Sequence, residues 1–190
     1  MTTTPIGAPR RQRDCSARTL LRWQFQHVHE LLDAVIEQIP TEALCRHLSS
    51  AAPAVAAAYA QVVVSEDLAV NGVLAKGSPL ALSTWVGRTG LSEMPPCVVA
   101  TDWDAWARRV RLDLARLRVY ARTVYASTDA YVAGLPEDAF NPMRGYGPGC
   151  LLSALLLTLS MRTGEIACLL ALEVGRAIKN EGQGSPESLQ

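Results

Sequence analysis

Histidine is scarce in this chain. His27, His29 and His47 are the only three, and no HxxxH or HExxH pair occurs, so a metal site built on paired imidazoles of one helix is excluded. His27 and His29 are two positions apart and leave a helix on different sides, while His47 falls in the connection after Pro40. Each is read as structural or exposed. The five cysteines (Cys15, Cys45, Cys97, Cys150, Cys168) are odd in number and scattered. Without a CxxC pair they argue against a disulfide framework and a zinc knuckle, and they suit free thiols in a reducing cytosol. There is no GxSxG elbow and no GxxxxGK[ST] phosphate loop. Charge of one sign is missing too: 18 basic and 18 acidic residues give a formal net charge of zero. The chain thus lacks the basic face that neutralising phosphates requires, and Arg10, Arg11 and Arg13 read as a solvated arm. The most apolar run, 150–161, is too short to span a bilayer, and Arg162 and Glu165 interrupt its continuation. No apolar stretch follows the N-terminal arginines, so no secretory signal is expected. These absences imply a cytoplasmic globular protein with no nucleic-acid and no membrane partner.

What is present is apolar and periodic. Hydrophobic residues make up 49% of the 190 positions, enough for one domain with a sizeable core. Residues 1–15 and 181–190 lack periodicity and read as a disordered arm and tail around a domain at 16–180. Four helical patterns follow. The first spans 16–39, with Ser16 as N-cap, a stripe of Leu21, Phe25, Val28, Leu32, Val35 and Ile39, and Pro40 as its stop. The second runs from Pro53 to Lys76 and Gly77, rich in alanines that permit close approach, with Glu66 on its apolar stripe. The third starts at Thr101, where Thr101 and Asp104 resemble a capping box, and continues through Trp103, Trp106, Val110, Leu114, Leu117, Ala121 and Val124. The fourth covers 150–179. It is apolar nearly all round in its first half and is expected to be the most buried. The connections at 77–100 and 134–149 are rich in Gly and Pro, and links of such length usually serve a purpose. The fold class expected is all-α, a four-helix bundle with long connections after helices 2 and 3.

Thr158, Arg162 and Glu165 share one face of the fourth helix, in line with Leu151, Leu155 and Leu169. Polar groups buried among leucines need partners, because an unpaired buried charge costs several kcal/mol. One reading is an internal bridge from Arg162 to Glu66 or Glu165 that fixes helix register. The other is a polar pocket floor that meets a ligand.

The runs SEDLAVNGVLAKGSPL at 65–80, WVGRTGLSEMPP at 85–96 and RTGEIACL at 162–169 resemble, in order and spacing, proteins of the DinB-like superfamily over roughly residues 18–178. The resemblance implies a four-helix bundle, often dimeric, in which many members hold a divalent metal with three histidines. Those positions fall on Gln61, Thr158 and Arg162. Gln and Thr are poor ligands for zinc or nickel, and a guanidinium cannot ligate. No metal and no cofactor is therefore expected. Arg162 keeps a positive charge where the cation would sit, suited to a carboxylate, enolate or phenolate. Glu66, Gln61, Gln24, Ser153 and Tyr59 are candidate neighbours, and Trp85, Trp103 and Trp106 are candidate walls of the mouth, although aromatics at helical spacing are more often core. The function expected is a metal-independent enzyme acting on a small, largely apolar metabolite in an internal cavity by cyclisation, isomerisation or addition. Arg162 would polarise an oxygen, and Glu66 or Glu165 would move a proton. The alternatives are a non-catalytic binder of such a ligand, a metal-dependent thiol transferase of the DinB-like type, and a structural homodimer module with a closed core.

Overall fold

The computed structural model describes residues 16–38, 52–96, 103–141, 145 and 147–182. Helix α1 spans Ala17–Glu37 and begins at Ser16, whose backbone is extended and whose side-chain oxygen accepts the Thr19 N–H at 3.2 Å, satisfying an amide that the first turn leaves open. Its buried stripe is Leu21, Phe25, Val28, His29, Leu32 and Ile36. The expected end at Ile39 and Pro40 lies outside the described residues, as do His47, Cys15, Cys45, Cys97 and the 1–15 arm.

Helix α2, Ala52–Asp67, is buried almost all round. Val55, Ala56, Ala57, Tyr59, Ala60, Val62, Val63, Val64, Glu66 and Asp67 each expose 4% or less. This corrects the expectation that the last helix is the most buried. The small alanines let neighbouring helices close on α2 from several sides. The helix widens into a π-helical segment, Leu68–Leu74, and stops at Lys76, which takes a left-handed φ of 53°.

The 77–96 link is ordered by specific ties. A 3-10 turn occupies Leu80–Leu82. Gly90 sits at φ 84°, and a Cβ there would lie 2.5 Å from the Asp113 carbonyl oxygen and 2.7 Å from the Leu117 nitrogen, so only glycine fits. The Gly90 carbonyl accepts the Asp113 N–H at 2.8 Å, and Leu91 forms an isolated antiparallel bridge with Leu112. This contact breaks the third expected helix. It becomes α3, Trp103–Arg109, and α4, Leu114–Gly134, separated by four non-helical residues. Asp113 caps α4 by accepting the Arg116 N–H at 3.1 Å, a local alternative to continuing the helix. The capping box expected at Thr101 lies outside the described residues.

A 3-10 turn at Glu137–Phe140 leads to α5, Pro148–Gly182, which runs two residues into the expected tail. Gly149 lets its first turn press on this connection: a Cβ there would meet the Ala139 oxygen at 2.7 Å. Helices α1 and α2 each pack against both α4 and α5, so the four long helices surround one core. No strand occurs among the described residues. Among the α5 residues whose exposure is described, Gly149 and a narrow stripe, Leu152, Leu159, Thr163, Ile166 and Leu170, are buried, while Leu157, Met161 and Leu172 are more than half exposed. Taken as a whole, Pro148–Leu172 is long and apolar enough to cross a membrane, by length and composition alone. The shorter run 150–161 did not suggest that length.

Candidate functional site

The site grows from one buried charge. Glu66, in the last turn of α2, is fully buried, and a carboxylate out of water needs donors on its lone pairs. The Thr128 hydroxyl on α4 donates to its Oε1 at 2.5 Å. His29 on α1 brings Nε2 to 3.0 Å from Oε1 and 3.1 Å from Oε2. As a carboxylate only accepts, Glu66 pairs with the tautomer of His29 that carries its hydrogen on Nε2. The imidazole is held in place by stacking on Tyr125 of α4, with ring centroids 3.8 Å apart and planes 11° apart. Phe25, one turn earlier on α1, tilts against it.

His29 and Tyr125 form part of the wall of a cleft of about 400 Å3 between α1 and α4, with Arg22, Phe25, Gln26, Glu30, Asp33 and Asp129. Arg22 and Asp129 close one side through a bidentate pair, both contacts at 2.7 Å. The hydrogen bond from Arg22 holds the Asp129 carboxyl below the usual carboxylate range. Asp33 has the opposite fate: burial pushes its carboxyl up, and Arg122, 3.9 Å away, only partly offsets this. Asp33 Oδ1 and the Nε of Arg118, whose charge acts on Asp33, are buried without a hydrogen-bond partner, and the buried hydroxyls of Tyr59 and Tyr125 lie within reach of each other. Burial pushes both phenols well above their usual range.

The neighbouring carboxylate, Asp67, is equally buried but fully used. Its Oδ1 accepts from Asn71 Nδ2 and from the Leu80 amide, and its Oδ2 from the Ala81 amide, each at 2.8 Å. Tyr120 donates its hydroxyl to Oδ2 at 2.7 Å. Asp67 therefore pins the 77–96 link to α2 and α4. Among the described residues no three His, Cys, Asp or Glu side chains converge as a metal-ligand set.

Of the residues that the sequence suggested, Glu66 stands at the centre, and Tyr59, fully buried two turns earlier on α2, reaches Tyr125. Arg162 and Glu165 do not join them. They lie on the exposed side of α5, their side chains 47% and 52% exposed, and pair with each other at 2.7 Å. The stripe of Leu159, Thr163 and Ile166 turns toward the core and carries Arg162 outward. Thr158 and Ser153 are also exposed, each hydroxyl returned to a carbonyl of its own helix, Ala154 and Gly149. Gln61 is half-buried on α2 and is not part of the cleft wall. Gln24 lines a separate apolar groove of about 450 Å3 between α1 and α5. The tryptophans wall no part of the cleft. Trp106 is core, with Trp103 tilted on it at 4.9 Å. Trp85 rests against Tyr120, and Arg88 lies over its ring at 5.3 Å.

The residues missed by sequence reasoning are His29, Asp33, Tyr125 and Thr128. His29 had a signal: it stands four after Phe25 and three before Leu32, on their stripe.

No protein-family model, no curated protein and no solved structure matches the chain.

Proposed function

We propose that the protein is a metal-independent acid–base enzyme of DinB-like bundle type that isomerises, cyclises or adds to a small metabolite in the α1–α4 cleft. The observation that carries this reading is the His29–Glu66 pair at the cleft wall, with the imidazole fixed by Tyr125. His29 takes a proton from the bound metabolite at Nδ1 and returns it elsewhere on the same molecule. Glu66 is a positioning residue: it fixes the tautomer and stabilises the imidazolium that forms. The proton-moving role expected of Glu66 thus passes through His29, and Arg162 takes no part. The DinB-like assignment is supported by the order of the motifs at 65–96 and 162–169. Metal independence is supported by the poor donors at Gln61, Thr158 and Arg162.

The test is deuterium uptake. The full chain is incubated in D2O with fractionated metabolite extract, and carbon-bound exchange is followed by NMR. A protein-dependent exchange is expected, slowed by roughly 100- to 10,000-fold in His29→Gln, reduced in Glu66→Gln and unchanged in Arg162→Ala. Exchange that persists in a folded His29→Gln variant would sink the reading.

A further inference from the structure

We infer that the outward face of α5 is a dimer interface, on which a second copy of this chain lays the same helix antiparallel. Opposite the buried stripe, Ala154, Leu157, Met161, Gly164, Cys168 and Ala171 recur at alternating steps of three and four, and all six are exposed. Apolar or small residues at that spacing form the seam along which two helices pack. The flanks of the seam suit burial. Arg162 and Glu165, the only charges between 148 and 172, stand beside it and pair with each other at 2.7 Å. The hydroxyls of Ser153, Thr158 and Ser160 each donate to the carbonyl four residues back, so they bring no unmet donor to a dry contact.

Gly164 is a second, separate sign. Glycine inside a helix costs stability against alanine, and a Cβ added here would meet nothing within 4 Å. The chain's own packing therefore gives no reason for glycine, whereas the close approach of another helix does. The occupant follows from how size is distributed along the seam. Leu157 and Met161 are large and come first; Gly164, Cys168 and Ala171 are small and follow. A copy laid in the same direction would set large on large and small on small. A copy reversed about a two-fold axis sets Met161 on the partner's Gly164 and Leu157 on the partner's Cys168. The face thus complements itself, as a closed two-fold contact requires. Its extent agrees. The apolar groove of about 450 Å3 between α1 and α5 opens alongside and shares Gly164 with the seam. On these two helices Trp23, Leu31, Leu151, Leu157, Met161 and Leu172 are 42% to 62% exposed. The six side chains present on the order of 600 Å2, most of the ~800 Å2 that each partner gives to a standard interface.

Sedimentation equilibrium of the full chain over a range of dilutions is expected to show a reversible dimer of twice the chain mass. Gly164→Leu fills the seam where the single chain has room, so it should weaken dimerisation at least about tenfold, as overpacking a close contact does. At a dilution where the parent is a monomer, the variant should melt no lower than the parent, which separates a blocked contact from a damaged fold. Leu157→Cys reads the direction. On oxidation the introduced thiol should join Cys168 of the second copy, found by mass mapping of the linked peptides. A chain that stays monomeric at every concentration overturns the inference, as does an undiminished dimer in Gly164→Leu. A Cys168–Cys168 link between copies, or no link from the introduced thiol, overturns the antiparallel arrangement. Flotation of a monomeric chain with phosphatidylcholine vesicles would assign the face to a bilayer and overturn the inference too.

Discussion

Glu66 and Asp67 are adjacent in the chain and both fully buried, and about 100° of helical rotation sends them to different partners. Glu66 turns to His29 and Thr128, which leave room on its lone pairs. Asp67 turns to four donors and leaves nothing. That difference yields a residue-level prediction. In Asp67→Asn one carboxylate oxygen becomes an amide NH2, which cannot accept from the backbone N–H and the side-chain donor that it faces. The variant should lose about 3 kcal/mol of stability, the cost of orphaning buried donors at a charged acceptor. Urea denaturation measures this directly. A loss below about 1 kcal/mol would mean that the 77–96 link is held by something other than Asp67.

At the scale of elements, α5 shows why a helix can be visible in a sequence while its register is not. Its first half is apolar nearly all round, so several faces could serve as the core face with little difference in patterning. The stripe 158–162–165 and the stripe 159–163–166 are both plausible on spacing, and packing selects the second. The expected consequence separates them cleanly. Leu159→Ala should cost about 3 kcal/mol, as buried leucine truncations do. Arg162→Ala should change stability by no more than about 0.5 kcal/mol, because its ion pair with Glu165 is solvent-exposed. Denaturation of the two variants side by side reads the register, and a reversal of their order would overturn the described face. The break between α3 and α4 was equally hidden. Trp106, Val110, Leu114 and Leu117 keep a helical period straight through it. The break comes from Gly90 and Leu91, some twenty residues earlier in the chain, which engage Asp113 and Leu112. Nothing local to the helix reports such a partner.

For the molecule as a whole, the all-helical class and the starts of α1 at Ser16 and of α2 near Pro53 were readable from period and cap. Of the site, the sequence offered Glu66, because a carboxylate on an apolar stripe must be answered. It did not say by what, since the answer comes from α1 and α4, across sequence separations of 37 and 62 residues. The knot at Asp67 closes much shorter segments, of 13 and 14 residues, to Leu80 and Ala81. Closing a loop several times longer costs about 1 kcal/mol more in chain entropy. The two buried carboxylates are therefore expected to mark two units that open at different free energies, α2 with its link holding together while α1 leaves. Amide hydrogen exchange under mild denaturant should find Leu80 and Ala81 slower than Phe25 and His29, and equal rates would mean that the protein opens as one piece. In a molecule built this way, the face that would bind and transform a ligand is also the hinge side of its first partial unfolding, so a bound ligand would act as a latch on folding itself.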